Sequence, residues 1–280
     1  MAFGGETADS YYDEGITASM RGDLPAAVQH FEKVLQIDRS YFAAYHQLAK
    51  CHIRMGEAGR AAKLLRQVIA VKPNQIPPRV DLGFALLDLG DIGQAREVLG
   101  EVANAKPDNA RATLGLAICA FREGNWAAAG ELAQRSINLG GSNFAAVFLL
   151  GKAAKLAGFI EQSFDALSQA DALMKNSIES NPEPPEAYFL RGEVNFVRDN
   201  YTEALDNYRA AEDRAEGNRH YSAYGEHFTR LDILAKRGLC LQRLGRVQAA
   251  REVGVQILGS DPQHKLGAFL KNLEEPGKPA

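Results

Sequence analysis

The stretch from Leu82 to Pro107 reads LGFALLDLGDIGQAREVLGEVANAKP, and its spacing predicts two short helices joined by a tight turn. Leu82, Leu86 and Leu89 recur at helical intervals before Gly90-Asp91. Ala95, Val98, Leu99 and Val102 then recur on a second helix, which Lys106-Pro107 ends. Gly90 permits the reversal between the two, because a residue without a Cβ enters left-handed backbone at little cost. Neither helix can bury its apolar stripe within one pair. Stacking of like pairs has to complete the core.

Such pairs stand on either side of this one. Gly22, Gly56, Gly90, Gly124 and Gly158 lie 34 residues apart. Five residues after them come Ala27, Ala61, Ala95, Ala129 and Ser163, and seven before them a small residue: Gly15, Ala49, Gly83, Ala117 or Gly151. Leu24, Ile92, Trp126 and Ile160 follow two after, and Pro73 and Pro107 close two of the units. Asp199-Asn200-Tyr201 with Gly192 and Ala204 repeats the turn, and Gly245 with Gly238, Ala250 and Pro262 repeats it again.

A self-similarity of this period and residue type resembles the tetratricopeptide repeat family over nearly the whole chain. The resemblance implies an all-α, right-handed superhelical solenoid of helix pairs. Seven repeats are expected, at residues 8–41, 42–75, 76–109, 110–143, 144–177, 185–218 and 231–264. A flexible segment 1–7 would precede them, and a capping helix 265–275 and a tail 276–280 would follow. In that capping helix Leu266, Phe269, Leu270 and Leu273 form one apolar stripe, with Lys265, Lys271 and Glu274 facing water. Two departures from the period stand out. After the fifth repeat, helical spacing continues through Leu167, Ala170, Leu173 and Met174 towards Ile178, until Asn181-Pro182-Glu183-Pro184-Pro185 breaks it. Before the seventh, Tyr221, Tyr224, Phe228 and Leu231 predict a first helix that starts early and runs long.

Composition narrows the function class. With 46% apolar and 24% charged residues the chain has the profile of a globular protein, and a net charge of −3 offers no basic excess for nucleic acid. No secretory signal or membrane-spanning stretch is read, so a cytoplasmic chain without membrane insertion is expected. Cys51, Cys119 and Cys240 fall at one repeat position, which elsewhere holds Thr17, Ala85, Ala153 and Val194; that is a packing site. His220 and His227, which seven-residue spacing would place on one helix face beside Glu226, lack further ligands nearby, so no metal is expected. Phosphate-loop, dinucleotide, zincin and nucleophile-elbow motifs are all absent, so neither a cofactor nor an enzyme is expected. A site assembled across repeats would draw on Asp81, Asp88, Glu186 and Glu193, but these alternate with Lys and Arg as solvated pairs do.

The resemblance also implies that the first helix of each repeat lines a concave groove where a partner polypeptide lies. The residues placed there are Lys50 and Arg54; Val80, Phe84 and Leu87; Arg111, Leu114, Ile118, Phe121 and Arg122; and Phe148, Lys152 and Lys155. An apolar middle with basic residues on both sides predicts a partner with apolar anchors and acidic flanks. The lysine–asparagine pattern of family members that grip acidic chaperone tails is missing: Tyr12 and Ile16, His46 and Lys50, and Val80 and Phe84 stand there instead. Two other readings compete. The aromatics either fill the inside of the superhelix or are covered by the irregular C-terminal third, and the chain either holds a partner or self-assembles into a homo-oligomer.

Overall fold

The computed structural model describes residues 7–140, 143–217 and 219–274. Its helices are α1 (Ala8–Met20), α2 (Leu24–Ile37), α3 (Phe42–Arg54), α4 (Ala58–Val71), α5 (Ile76–Asp88), α6 (Ile92–Ala105), α7 (Ala110–Arg122), α8 (Trp126–Gly140), α9 (Phe144–Ala157), α10 (Ile160–Ser180), α11 (Pro185–Val197) and α12 (Tyr201–Arg214). Two short strands follow, β1 (Tyr221–Ala223) and β2 (Glu226–Phe228), then α13 (Arg230–Arg243), α14 (Val247–Ser260) and α15 (Lys265–Lys271). The helices form adjacent antiparallel pairs. They fall into two compact units, Met1–Leu149 and Leu150–Ala280, each described separately below.

In the first unit the turn glycines Gly22, Gly56, Gly90 and Gly124 all adopt positive φ, between 76° and 83°. Each is followed by a residue that begins the second helix of its pair. Asp23, Asp91 and Asn125 accept the backbone N–H groups of Ala26, Gln94 and Ala128 at 3.1, 3.1 and 3.3 Å. Where the small residue of the first helix is glycine its purpose is visible: a Cβ on Gly15 would come within 2.7 Å of the Phe31 ring, and one on Gly83 within 2.4 Å of Leu99. These side chains of the second helix fill the space the glycine leaves. Phe31, Leu65, Leu86 and Leu99 are fully buried.

Segments expected to be loose are tied down at one end. Thr7, assigned to the flexible segment, instead caps α1: its hydroxyl accepts the Ser10 N–H at 3.1 Å and the Ser10 hydroxyl accepts the Thr7 N–H at 3.2 Å. Residues 1–6 and the tail 276–280 lie outside the described residues.

The second unit repeats the pairing, with three departures. Helix α10 extends over 21 residues to Ser180 before the proline run, as its spacing indicates. At the turn before α12 a non-glycine residue, Asp199, takes the left-handed conformation at φ 64°, anchored to the Tyr201 hydroxyl at 2.8 Å and the Lys155 ammonium at 2.5 Å. The expected early start of the seventh repeat's first helix is not found. Residues 221–228 form an antiparallel hairpin, with Tyr221 opposite Phe228 and Ala223 opposite Glu226. Its two turn residues, Tyr224 (φ 53°) and Gly225 (φ 83°), both take left-handed backbone, which a right-twisted two-residue turn demands. Thr229 then caps α13 through a reciprocal box with Asp232, so the helix begins at Arg230.

Helix α15 stops at Lys271, short of residue 275, and Phe269 faces solvent; Leu270 and Gly267 are buried instead. The reason is close contact: a Cβ on Gly254 would lie 2.8 Å from the Gly267 carbonyl oxygen, so α14 and α15 meet backbone to backbone.

Candidate partner-binding interface

Numbering within a repeat sorts the expected groove residues into rows. In the first unit α1, α3, α5 and α7 pack side by side, so equivalent positions of successive repeats form lines across these first helices. The fifth position holds His46, Val80, Leu114 and Phe148, and Val80, Leu114 and Phe148 are buried. Phe148 also stacks on Phe144, with centroids 5.2 Å apart. This row is core between repeats, and its three apolar members are not open to a partner. The twelfth position is mixed: Leu87 is buried, whereas Phe121 is half-buried. The ninth position is the open one. Lys50 is exposed and Phe84 and Ile118 are half-buried, resting on the core with one side outward.

The basic residues expected on the rim, Lys50 apart, have internal partners. Arg54 Nη1 donates to the Ser19 carbonyl at 2.9 Å and to its hydroxyl at 3.2 Å. Arg122 Nη1 donates to the Leu87 carbonyl. Ser19 and Leu87 both occupy the twelfth position of the preceding repeat, so one contact is made twice: a guanidinium on the carbonyl-rich C-terminal end of the neighbouring first helix. Arg111 lies over the Phe84 ring, 4.9 Å from its centroid, and reaches the buried Asp81 at 2.5 Å. His46 Nε2 meets the other oxygen of that carboxyl at 2.7 Å. Burial pushes the Asp81 carboxyl up, but the His46 and Arg111 contacts outweigh it and hold the group below the ordinary carboxylate value. The network bridges three repeats and fixes Arg111 against the ring.

In the second unit the first-helix face has another character. Phe228 of the hairpin stacks on Phe189 of α11 at 3.9 Å, and Tyr221 stacks on Phe228 at 5.4 Å; all three rings are buried. Glu226 of β2 lies 3.7 Å from Lys152. Lys155 donates to the Val197 carbonyl and to Asp199. Glu193 accepts the Tyr208 hydroxyl at 2.6 Å and pairs with Lys236 at 2.7 Å. A shallow cleft of about 210 Å³ remains between the end of α10, the start of α11 and the hairpin, lined among others by Met174, Glu186, Leu190 and Tyr224.

Several of the residues considered for chemistry are held in other surroundings. Cys51, Cys119 and Cys240 are buried, and desolvation pushes the Cys119 and Cys240 thiols up to about 11 and about 12, far from a thiolate at neutral pH. His227 and Glu226 sit on β2, so the shared helix face imagined for His220 and His227 does not exist. Asp81 and Glu193 are held in the ion pairs just described. No described helix is long and apolar enough to cross a membrane.

Family models described as tetratricopeptide repeat match residues 18–82, 80–145 and 152–219. The chain belongs to the tetratricopeptide repeat family. Solved structures agree on the fold. A tetratricopeptide repeat protein from Parabacteroides merdae covers 95% of this chain, over 98% of its own, at 12% identity and a TM-score of 0.61. MamA from Desulfovibrio magneticus covers 61% of this chain and 97% of its own at 19% identity and a TM-score of 0.53. A chain of the APC/C hetero-tetramer Cut9–Hcn1 covers 92% at 17% identity and a TM-score of 0.63, and this tetratricopeptide repeat chain spans 49% of it. No curated protein matches the sequence. Tetratricopeptide repeat membership supports a protein-interaction scaffold as the function class.

Proposed function

We propose that the first unit binds a partner polypeptide along its first-helix face, and that the partner carries apolar anchors with acidic flanks. The carrying observation is the ninth-position row: Lys50, Phe84 and Ile118 stand on three adjacent first helices, and none of them is buried. Phe121 lies one turn beyond Ile118 and extends the apolar surface. Arg111, fixed by Asp81, presents its guanidinium beside Phe84. A rigid cation next to half-open aromatic surface favours a carboxylate neighbour without a large ordering cost on binding. Val80, Leu87, Leu114 and Phe148 shape this surface from beneath, and Arg54 and Arg122 hold the repeats in register.

The test is a fluorescence-anisotropy titration with two synthetic peptides that share a Phe/Leu core, one flanked by Glu and one by Lys. The Glu-flanked peptide is expected to bind more tightly, and Lys50→Glu is expected to weaken it roughly fivefold, the effect of one exposed charge contact. Equal affinity for both peptides, or insensitivity to Lys50→Glu, would sink the proposal.

A further inference from the structure

The turn between α9 and α10, wholly within the second unit, carries four large apolar side chains at the surface. Leu156, Phe159, Ile160 and Phe164 are large and apolar, yet 49%, 53%, 70% and 61% exposed. Phe159 occupies the N-cap position, where Asp23, Asp91 and Asn125 cap their helices and Glu57, Asn200 and Arg246 are polar but make no side-chain cap. A phenyl ring cannot accept the free N–H groups of the first turn, and α10 has no side-chain cap. Four residues into the second helix, where Phe164 stands, Ala62, Gly130 and Leu205 are buried, Val28 and Arg251 are half-buried and the exposed residue is the charged Arg96, whereas Phe164 is apolar and turned outward. Both substitutions act against the stability of the repeat and enlarge one apolar surface. Ile160 and Phe164, four residues apart, lie on one side of α10.

The charge around this surface is one-sided. Glu161 and Asp165 flank Phe164 along the helix, both exposed, and neither makes an ion pair or hydrogen bond among the described residues. The cations nearby are already engaged: Arg198 lies over the Phe164 ring at 5.6 Å, and Lys155 is bonded to Val197 and Asp199. We infer that this turn is a second docking surface, and that its occupant is a basic amphipathic segment of another protein. Apolar side chains of that segment would cover Phe159, Ile160 and Phe164, and its Lys or Arg residues would meet Glu161 and Asp165. Charge preference here is the reverse of that proposed for the first-helix face, so one chain would hold two segments of opposite character.

The experiment titrates the whole chain with a helical peptide carrying Leu at four-residue spacing and Lys between, and with the same peptide carrying Glu for Lys. The Lys peptide is expected to bind at this surface, whereas any binding of the Glu peptide, at the first-helix face, is expected to be unaffected by changes at Phe159 and Phe164. Phe159→Asp with Phe164→Ser is expected to cut Lys-peptide affinity at least tenfold while raising the thermal midpoint, because Asp restores the missing cap. Loss of binding through unfolding is thereby separated from loss of the surface. Glu161→Lys with Asp165→Lys should weaken Lys-peptide binding at least tenfold. No binding of the Lys peptide, full Lys-peptide binding by the Phe159→Asp/Phe164→Ser variant, or an equal loss of both peptides in that variant would overturn the inference. So would sedimentation showing a dimer that this variant abolishes, since the occupant would then be a second copy.

Discussion

Repeats two to four and repeat six carry similar first helices, yet the first group leaves its face open and the sixth is covered by its own chain. Phe84 and Phe189, at the ninth and the fifth position of their repeats, show how differently the two rings are covered. Phe84 is half-buried under one Arg111 guanidinium, whereas Phe189 lies beneath the stacked rings of Phe228 and Tyr221. A guanidinium held by Asp81 covers one side of the Phe84 ring, and the hairpin removes the Phe189 ring from water altogether. The first arrangement leaves surface for a partner. The second uses the surface for stability.

The largest expected effect tests that division. Phe228→Ala removes a fully buried ring and is expected to destabilise the second unit by about 3–5 kcal/mol. Phe84→Ala removes a ring that is already half in water and is expected to cost about 1–2 kcal/mol. Urea unfolding followed by circular dichroism compares them, with the two transitions fitted separately, because a repeat chain with two compact units need not unfold in one step. Equal costs would break the comparison, and Phe84 would then be core in the same sense as Phe228.

The second effect concerns the cation's support. Asp81→Asn leaves Arg111 and His46 without their carboxylate and is expected to cost about 1–3 kcal/mol at neutral pH. The sign of its pH dependence follows from the depressed Asp81 value. A carboxyl with a lower pKa folded than unfolded contributes stability above the unfolded value and loses it as pH falls through the folded one. The difference between the intact chain and Asp81→Asn should therefore hold steady above about pH 5 and close below about pH 4. A difference that widens on acidification would contradict the network as described.

The repeat, its register and the long α10 were legible because 34-residue spacing and helical periodicity are properties of the residue string itself. Two things were not. Periodicity places the fifth, ninth and twelfth positions on one face of a first helix, but which of them meets the next repeat depends on how pairs stack. Val80, Leu114 and Phe148 carried a usable signal all the same: one row filled by three apolar residues, beside a ninth row holding Lys50, Phe84 and Ile118. The hairpin was hidden by coincidence, since Tyr221, Tyr224 and Phe228 repeat at three and four residues as a helix face does. Gly225 inside the run and the Thr229–Asp232 capping box just after it were the local evidence against a helix.

The smallest expected effect bears on that hairpin. Tyr224 sits at φ 53° in a two-residue turn, a position where Asn or Gly is preferred and a bulky side chain is strained. Tyr224 is 54% exposed, so it gains little burial in return. Tyr224→Asn creates the Asn-Gly pair such turns favour and is expected to raise the stability of the second unit by about 0.5–1 kcal/mol. Because the hairpin covers Phe189, a firmer turn should also slow hydrogen exchange of the α11 amides beneath it. A rise in stability without slower exchange in α11 would mean that the hairpin and the helix open independently. The cover over repeat six would then be a lid rather than part of its core, and the division between an open face and a sealed one would be a matter of degree.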